Sequence, residues 1–151
     1  MSEVSETPVA TPTGHRGVRV AGIILAVLGV TFLVAGVATY AVVSQTLADQ
    51  KITVSDDARW LAGKDVTGPF TAYAQADIID KHATEIAGGK TYAELPQDDP
   101  NRATVMNASF LQASLFTSVV AFGVAAFVAV MGVVLILLGW ALMKVSRAAV
   151  T

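Results

Sequence analysis

The sequence predicts an all-α membrane protein, in which a two-helix antiparallel transmembrane hairpin carries a small helical extracytoplasmic domain. Two long stretches without a charged residue, 20–48 and 103–143, lie near the two ends of the chain. Each is longer than the roughly 20 apolar residues with which an α-helix crosses a ~30 Å hydrocarbon core. Charged residues make up only 15% of the chain and hydrophobic residues 54%. Soluble domains contain roughly 25% charged residues, so this composition favours a membrane protein.

The charge pattern divides the chain into five segments. The two ends are tails, and the residues between the apolar stretches form a polar insert. In chain order we predict a disordered cytoplasmic tail (1–17), transmembrane helix 1 (18–47), a mostly helical extracytoplasmic domain (48–102), a long helix 2 (103–145, extracytoplasmic in its outer part and transmembrane over about 119–143) and a second cytoplasmic tail (146–151).

The first apolar stretch has two interpretations. Its core, residues 20–43, is much longer than the 7–15-residue apolar region of a signal peptide. No convincing small-x-small cleavage site follows it before Asp49. An uncleaved helix is therefore favoured over a signal peptide.

Glycine and proline divide the insert into shorter elements. Gly68-Pro69 and Gly88-Gly89 predict the start and the end of one helix. Apolar residues recur along it at helical spacing, at Ala72, Ala76, Ile79, Ala83 and Ile86.

Two shorter features flank this helix. Ser55 followed by two aspartates predicts a brief helix that Gly63 ends. Thr91 and Glu94 have the spacing of a capping box. After Asp99 the pattern is helical to the end of the second apolar stretch, so helix 2 is expected to begin well outside the bilayer.

The flanking charges predict an orientation. Arg16 and Arg19 precede helix 1, and Lys144 and Arg147 follow helix 2, whereas the insert carries six basic and ten acidic residues. Because positive residues remain on the cytoplasmic side, we expect both termini in the cytoplasm, the insert outside, and the protein in the cell membrane.

Small residues repeat every seven positions in both predicted spans. Such residues let helix backbones approach closely, which is how helices associate in lipid. If the two helices run antiparallel, the two sets of small residues would contact each other within one chain. The alternative is that these residues form a face that contacts a second protomer or another membrane protein. The helix-packing candidates are Gly22, Gly29, Gly36, Ser118, Ala125, Gly132 and Gly139.

The outer part of helix 2 carries polar but uncharged side chains. These can pair with a protein partner at a small desolvation cost when their hydrogen bonds are satisfied. The candidates for facing a partner are Thr104, Asn107, Gln112 and Ser114. Expected partners are the lipid bilayer and other membrane subunits or a second copy of the chain. With a net charge of −2 and no basic patch, nucleic acid is not expected.

Composition excludes several kinds of chemistry. The chain has no cysteine, which excludes disulfides and thiolate catalysis. No charged residue lies within either span, which removes the usual sign of ion translocation. We therefore predict no catalytic residue and no cofactor. The leading hypothesis is a non-enzymatic accessory or scaffold subunit of a larger envelope or respiratory assembly.

His82 supports the alternative function, an extracytoplasmic module that binds or senses a ligand or a metal. Asp77 and Glu85 lie within about one helical turn of it and are the candidate metal-ligating partners. The plainer interpretation is a boundary histidine bonded to a backbone carbonyl or to Asn107, with no metal.

The aromatic residues of the insert also allow two interpretations. A lipid or quinone pocket near the outer leaflet is one. A small core beneath the helix that begins at Pro69 is favoured. The residues concerned are Trp60, Phe70, Tyr73 and Tyr92.

Blocks of the insert and of helix 2 resemble a known family. The longest are 102–111 (RATVMNASFL) and 113–120 (ASLFTSVV); shorter ones are 52–55 (ITVS) with Ala58, 76–79 (ADII), 81–83 (KHA), 88–93 (GGKTYA) and Asp99-Pro100. On these blocks, which cover most of residues 52–125, the chain resembles small two-pass membrane proteins of actinobacteria commonly labelled "aromatic ring-opening dioxygenase". The resemblance implies an actinobacterial membrane protein and assigns it no biochemical role.

The dioxygenase label can be tested on the residues. A non-haem iron(II) oxygenase uses two histidines and one carboxylate on the metal. The chain has only His15 and His82, which the expected topology puts on opposite sides of the membrane. One chain cannot then build this site, and we expect no enzyme activity.

Overall fold

The computed structural model describes residues 14–148, and within them all regular secondary structure is helical. The prediction of an all-α chain is therefore confirmed at the level of fold class. Two of the helices are long and apolar enough to cross a membrane. The helices are α1 (Gly14–Asp49), α2 (Pro69–Ile86) and α3 (Arg102–Ala148), with one 3-10 turn at Tyr92–Glu94.

The described residues form two compact units, and both long helices contribute to each. The first unit contains residues 14–34 and 129–148; the second contains residues 35–128. In the first unit the buried positions are held by small residues, namely Gly22, Gly29, Gly132, Gly139 and Ser146. The large apolar side chains around them, such as Val27 and Leu137, are exposed.

The second unit has a core of aliphatic side chains, alanines and one phenylalanine. Val54, Val66 and Phe122 are its largest fully buried side chains. They pack with alanines of α2 and with Leu115 of α3. A second cluster joins the end of α2 to the start of α3 through Ala83, Ala87, Leu95 and Val105.

The loop over residues 51–66 corrects one prediction. The brief helix expected after Ser55 is absent, and residues 56–63 make turns instead. Leu61 and Gly63 have positive φ angles of 55° and 70°, which an α-helix does not allow. The loop is closed by backbone hydrogen bonds, from the Val54 N–H to the Lys64 carbonyl at 2.9 Å and from the Val66 N–H to the Ile52 carbonyl at 2.8 Å.

Helix α2 begins and ends at the predicted signals. Its first residue is Pro69, and the Gly68 N–H before it donates to Thr71 Oγ1 at 3.2 Å. At the other end Gly88 and Gly89 have φ angles of 63° and 87°, and the Gly89 N–H donates to the Thr84 carbonyl at 2.8 Å. Such left-handed residues after a helix satisfy its last carbonyls.

The buried surface of α2 is broader than predicted. Ile86, expected on the apolar face, is exposed, whereas Ala74, Gln75 and Ile78 are buried. The reason is that the core touching α2 includes residues from both the 51–66 loop and α3, so the middle of the helix is covered on more than one side.

Three of the four aromatic residues of the insert lie outside its core, which corrects the prediction for them, whereas Tyr92 is half-buried and packs against the second cluster. Phe70 is 70% exposed, and Trp60 and Tyr73 are exposed as well. Trp60 and Tyr73 form a surface row with Phe116 of α3, in which the Tyr73 ring lies 6.1 Å from the Trp60 ring and 5.7 Å from the Phe116 ring. The buried positions of α2 are held mostly by alanines, and the ring that shares their cluster is that of Phe122 on α3.

Candidate functional site

The glycines of the first unit bring the two long helices into backbone contact. A Cβ atom placed on Gly132 would lie 2.5 Å from the Leu33 nitrogen and 2.7 Å from the Gly29 oxygen. One placed on Gly22 would lie 2.8 Å from the Gly139 oxygen. Gly22 and Gly29 of α1 thus contact Gly139 and Gly132 of α3, in the opposite order along the chain. No side chain at these positions could be accommodated without moving backbone atoms.

The other small residues of the predicted helix-packing set lie in the second unit. Gly36 and Ala125 are buried there, and Ser118 is half-buried. The Ser118 hydroxyl donates to the Ser114 carbonyl at 3.1 Å. Donation to a carbonyl four residues back satisfies a hydroxyl within its own helix.

His82 makes a contact that the sequence did not predict. Its Nε2 lies 2.7 Å from Asp57 Oδ2, so the expected partners, a backbone carbonyl or Asn107, are wrong. The Gln75 side chain explains the difference, since its Oε1 accepts a hydrogen bond from the Ser55 N–H at 3.0 Å. Gln75 and His82 lie seven residues apart on one face of α2. The bond to Ser55 thus holds the loop residue Asp57 over this face.

The candidate metal-ligating residues have other partners. Asp77 Oδ2 pairs with the Arg59 guanidinium at 3.2 Å, and Glu85 pairs with Lys81 at 3.9 Å. Within the part of the chain that the structure describes, no group of three His, Cys, Asp or Glu side chains is placed to hold a metal ion. The arrangement around His82 is an exposed network of ion pairs.

This network lowers the pKa of Asp57 below its usual value, chiefly through the hydrogen bond with His82. The charge of Lys81, and that of His82 when it is protonated, have smaller effects in the same direction. The pKa of Glu94 is also lowered, because its carboxylate accepts from the backbone N–H and the hydroxyl of Thr91. Both bonds measure 2.8 Å, and they form the predicted capping box.

The predicted partner-facing residues divide between two surfaces. Thr104, Asn107 and Ser114 are exposed on α3, while Gln112 is half-buried. Gln112 lines a separate cleft of about 300 Å³ together with residues that follow α2. Two large apolar side chains, Phe110 and Leu111, are exposed beside them, at 64% and 54%.

A larger groove lies in the second unit between the end of α1, α2 and the middle of α3. We call it the lateral groove. It has a volume of about 460 Å³. Its lining is apolar with uncharged polar groups: Thr46, Leu47, Gln50, Ile52, Gln75, Ile79, Leu111, Ser114, Leu115 and Ser118.

Two residues of this region have roles that the sequence did not predict, namely Asp57 as a partner of His82 and Gln75 as a buried amide. Asp57 gives no local signal, because 25 positions separate it from His82. Gln75 does give one. It lies at helical spacing between Ala72 and Ile79, and a glutamine within an apolar stripe indicates a buried hydrogen bond.

Comparisons with family models, with curated proteins and with solved structures find no match to this chain. The family resemblance of the insert and helix 2 therefore stays a prediction.

Proposed function

We propose that this chain is a two-span integral membrane protein that serves as a non-enzymatic accessory or scaffold subunit of a larger envelope or respiratory assembly. In this proposal α1 and α3 form an antiparallel transmembrane hairpin. Both termini lie in the cytoplasm, and residues 48–102 form the extracytoplasmic domain.

Exposure of the apolar helices supports the membrane placement. Only 17% of the most apolar window of each long helix is buried within the protein. A core helix of a soluble protein would bury most of this surface. Soluble monomers rarely expose apolar patches of more than a few hundred Å², so lipid is the medium that suits these side chains.

Charged and aromatic residues support the orientation. Arg16, Arg19, Lys144 and Arg147 are exposed at the ends of the two helices, as the positive-inside rule requires of a cytoplasmic side. The Lys144 ammonium lies 4.8 Å from the Trp140 ring centre, an arrangement that suits a membrane interface. Exposed Trp60, Phe70 and Tyr73 of the second unit suit the opposite interface.

One observation carries the accessory role. The outer part of α3 lies beyond the proposed span, yet it exposes Phe110 next to the uncharged Thr104 and Asn107. Large apolar side chains without neighbouring charges are typical of the centre of a protein interface. This surface therefore suits a protein partner outside the hydrocarbon core.

Native mass spectrometry of the tagged chain, gently extracted from its own membrane, tests the proposal. We expect other subunits at fixed stoichiometry. Phe110→Glu should remove them, because a charge would be buried without a partner. Ile86→Glu is the matched control on α2, where the side chain is also exposed, and it should keep them. A wild-type chain that emerges alone or only with itself would contradict the accessory role.

The His82–Asp57 contact favours a second candidate, an extracytoplasmic module that senses protons. A histidine whose Nε2 lies 2.7 Å from a carboxylate links loop and helix through a group whose charge changes between about pH 5 and 8 in proteins. The test is the stability of the wild type and of His82→Gln across this range. A pH dependence that the substitution abolishes would support the sensor; identical profiles would exclude it.

A further inference from the structure

We propose that the lateral groove binds an acyl chain of a membrane lipid and that the Gln75 side-chain amide donates a hydrogen bond to the lipid's ester carbonyl. This inference goes beyond the accessory role and depends only on the proposed membrane placement.

The size and walls of the groove suit a lipid chain. Its volume of about 460 Å³ lies within the roughly 300–1,000 Å³ of ligand sites. Leu47 and Leu115 are buried at its base, and Ile52 and Ile79 are half-buried beside them. Leu111 also lines the groove and remains exposed. An aliphatic chain lying there would cover apolar surface that the protein leaves open, which is favourable in water.

Gln75 supplies the polar part of the site. It is only 9% exposed and its Oε1 already accepts from the Ser55 N–H. Its amide nitrogen donates to no group among the described residues. Because every fully buried side-chain polar atom of these residues has a hydrogen-bond partner, this unpaired nitrogen is not fully enclosed by protein. Since Gln75 lines the groove, its free donor is available to an acceptor bound there.

The remaining polar groups favour a neutral acceptor. No charged residue lines the groove, so a free carboxylate or a phosphate would lose its hydration without gaining a counter-charge. An ester carbonyl accepts a hydrogen bond and carries no charge. Thr46 and Ser118 already donate to carbonyls of their own helices, so Gln50, Gln75 and Ser114 are left to contact the ligand.

The position of the groove agrees with a lipid that enters from the bilayer. Ser118 lines the groove and directly precedes the apolar residues 119–128 of the same unit. Thr46 lines it from α1, just after residues 35–43, the end of the first apolar stretch. A lipid with its chain in the groove would thus keep its ester group near the membrane interface.

Photo-crosslinking of the full-length protein in vesicles tests the proposal. The probe is a phosphatidylglycerol with a diazirine on one acyl chain; a diazirine-bearing free fatty acid is the second arm. We expect the phospholipid to label residues of the groove, in addition to the spans, and the fatty acid to label the groove several-fold less. Equal or stronger groove labelling by the fatty acid would contradict the ester assignment.

Two variants with matched controls sharpen the result. Ser114→Phe fills the groove and should abolish groove labelling, whereas Thr117→Phe, at an exposed position three residues along α3, should not. Gln75→Glu keeps the acceptor for Ser55 and removes the donor, so labelling should fall about fivefold to tenfold, as for the loss of one hydrogen bond. Gln112→Glu, the same change at the separate cleft, should leave it unchanged.

The outcomes separate the two proposals. Labelling of the spans without labelling of the groove would overturn the lipid site and leave the membrane placement standing. Absence of labelling anywhere would overturn both. Groove labelling that Ser114→Phe and Gln75→Glu do not reduce would also overturn the lipid site. If either variant fails to fold, the other decides.

Discussion

In the first unit, segments of α1 and α3 meet backbone to backbone at glycines, whereas in the second unit the same two helices meet through side chains. Gly29 and Gly132 leave no space between the helices. In the second unit Tyr40 and Phe122 pack with ring centres 4.7 Å apart, and α2 adds its alanines. Different forces therefore hold each of the two units together.

Lipid gives no hydrophobic drive between helices, so close van der Waals contact has to hold them. The second unit includes the polar insert, where water makes burial of Val54 and Val66 favourable. On this account the first unit depends on the absence of side chains, and the second depends on their presence.

Adding a side chain to the first unit should have the largest effect. Gly132→Ile would put a Cβ atom 2.5 Å from the Leu33 nitrogen, and backbone cannot move aside cheaply. We expect a loss of about 3 kcal/mol or failure to fold. Unfolding in mixed micelles measures it.

Gly123 provides the matched control on the same helix. A Cβ atom there would meet nothing within 4 Å. Gly123→Ile should fold as well as the wild type, because isoleucine has a better helix propensity than glycine. Equal damage from both substitutions would show that the glycine contacts do not hold the first unit.

Removing side chain from the second unit should have the next effect. Val66 is fully buried, so Val66→Ala should lower the free energy of unfolding by about 2 kcal/mol through lost burial and a small cavity. Val120→Ala, at an exposed position, should change it little. Denaturant titration in a Trp140→Phe background, in which Trp60 is the tryptophan that fluoresces, measures both. A neutral Val66→Ala would contradict the role assigned to side-chain burial.

Acid should weaken the second unit by a smaller amount. Because the pKa of Asp57 is lower in the folded chain than its ordinary value of 3.8, its stabilisation is complete above that value and is lost as pH falls through the lower folded pKa. Asp57→Asn should reduce the loss of stability in this acid range. Asp98→Asn is the control and should not reduce it, because the Asp98 carboxylate has no hydrogen bond or ion pair within the described residues. Acid titration of unfolding midpoints compares them. Equal profiles for Asp57→Asn and the wild type would contradict the assignment.

Local chemistry determined what the sequence could predict. Pro69 and Gly88 define the bounds of α2 because their backbone preferences act at their own positions. The spacing of Gly22 and Gly29, and that of Gly132 and Gly139, carries information because seven residues return to nearly the same helix face.

Features that depend on distant parts of the chain were not predictable. The turn after Ser55 has a positive φ at Leu61, and leucine gives no local signal for it. The Asp57–His82 contact depends on the Gln75 side chain holding the loop. Trp60 and Tyr73 are exposed because the core against α2 is supplied by the 51–66 loop and by Leu115 and Phe122 of α3, which hydrophobicity alone does not reveal.

The central claim is that two spans place the insert on one side of the membrane and both ends on the other. The chain has no cysteine, so single cysteines can be introduced without background at the exposed positions Lys64, Arg147 and Val130. With a membrane-impermeant maleimide, Lys64→Cys should react in intact cells, Arg147→Cys only after lysis, and Val130→Cys in neither case until detergent is added. Labelling of Lys64→Cys and Arg147→Cys from the same side of an intact membrane, or labelling of Val130→Cys without detergent, would contradict this arrangement.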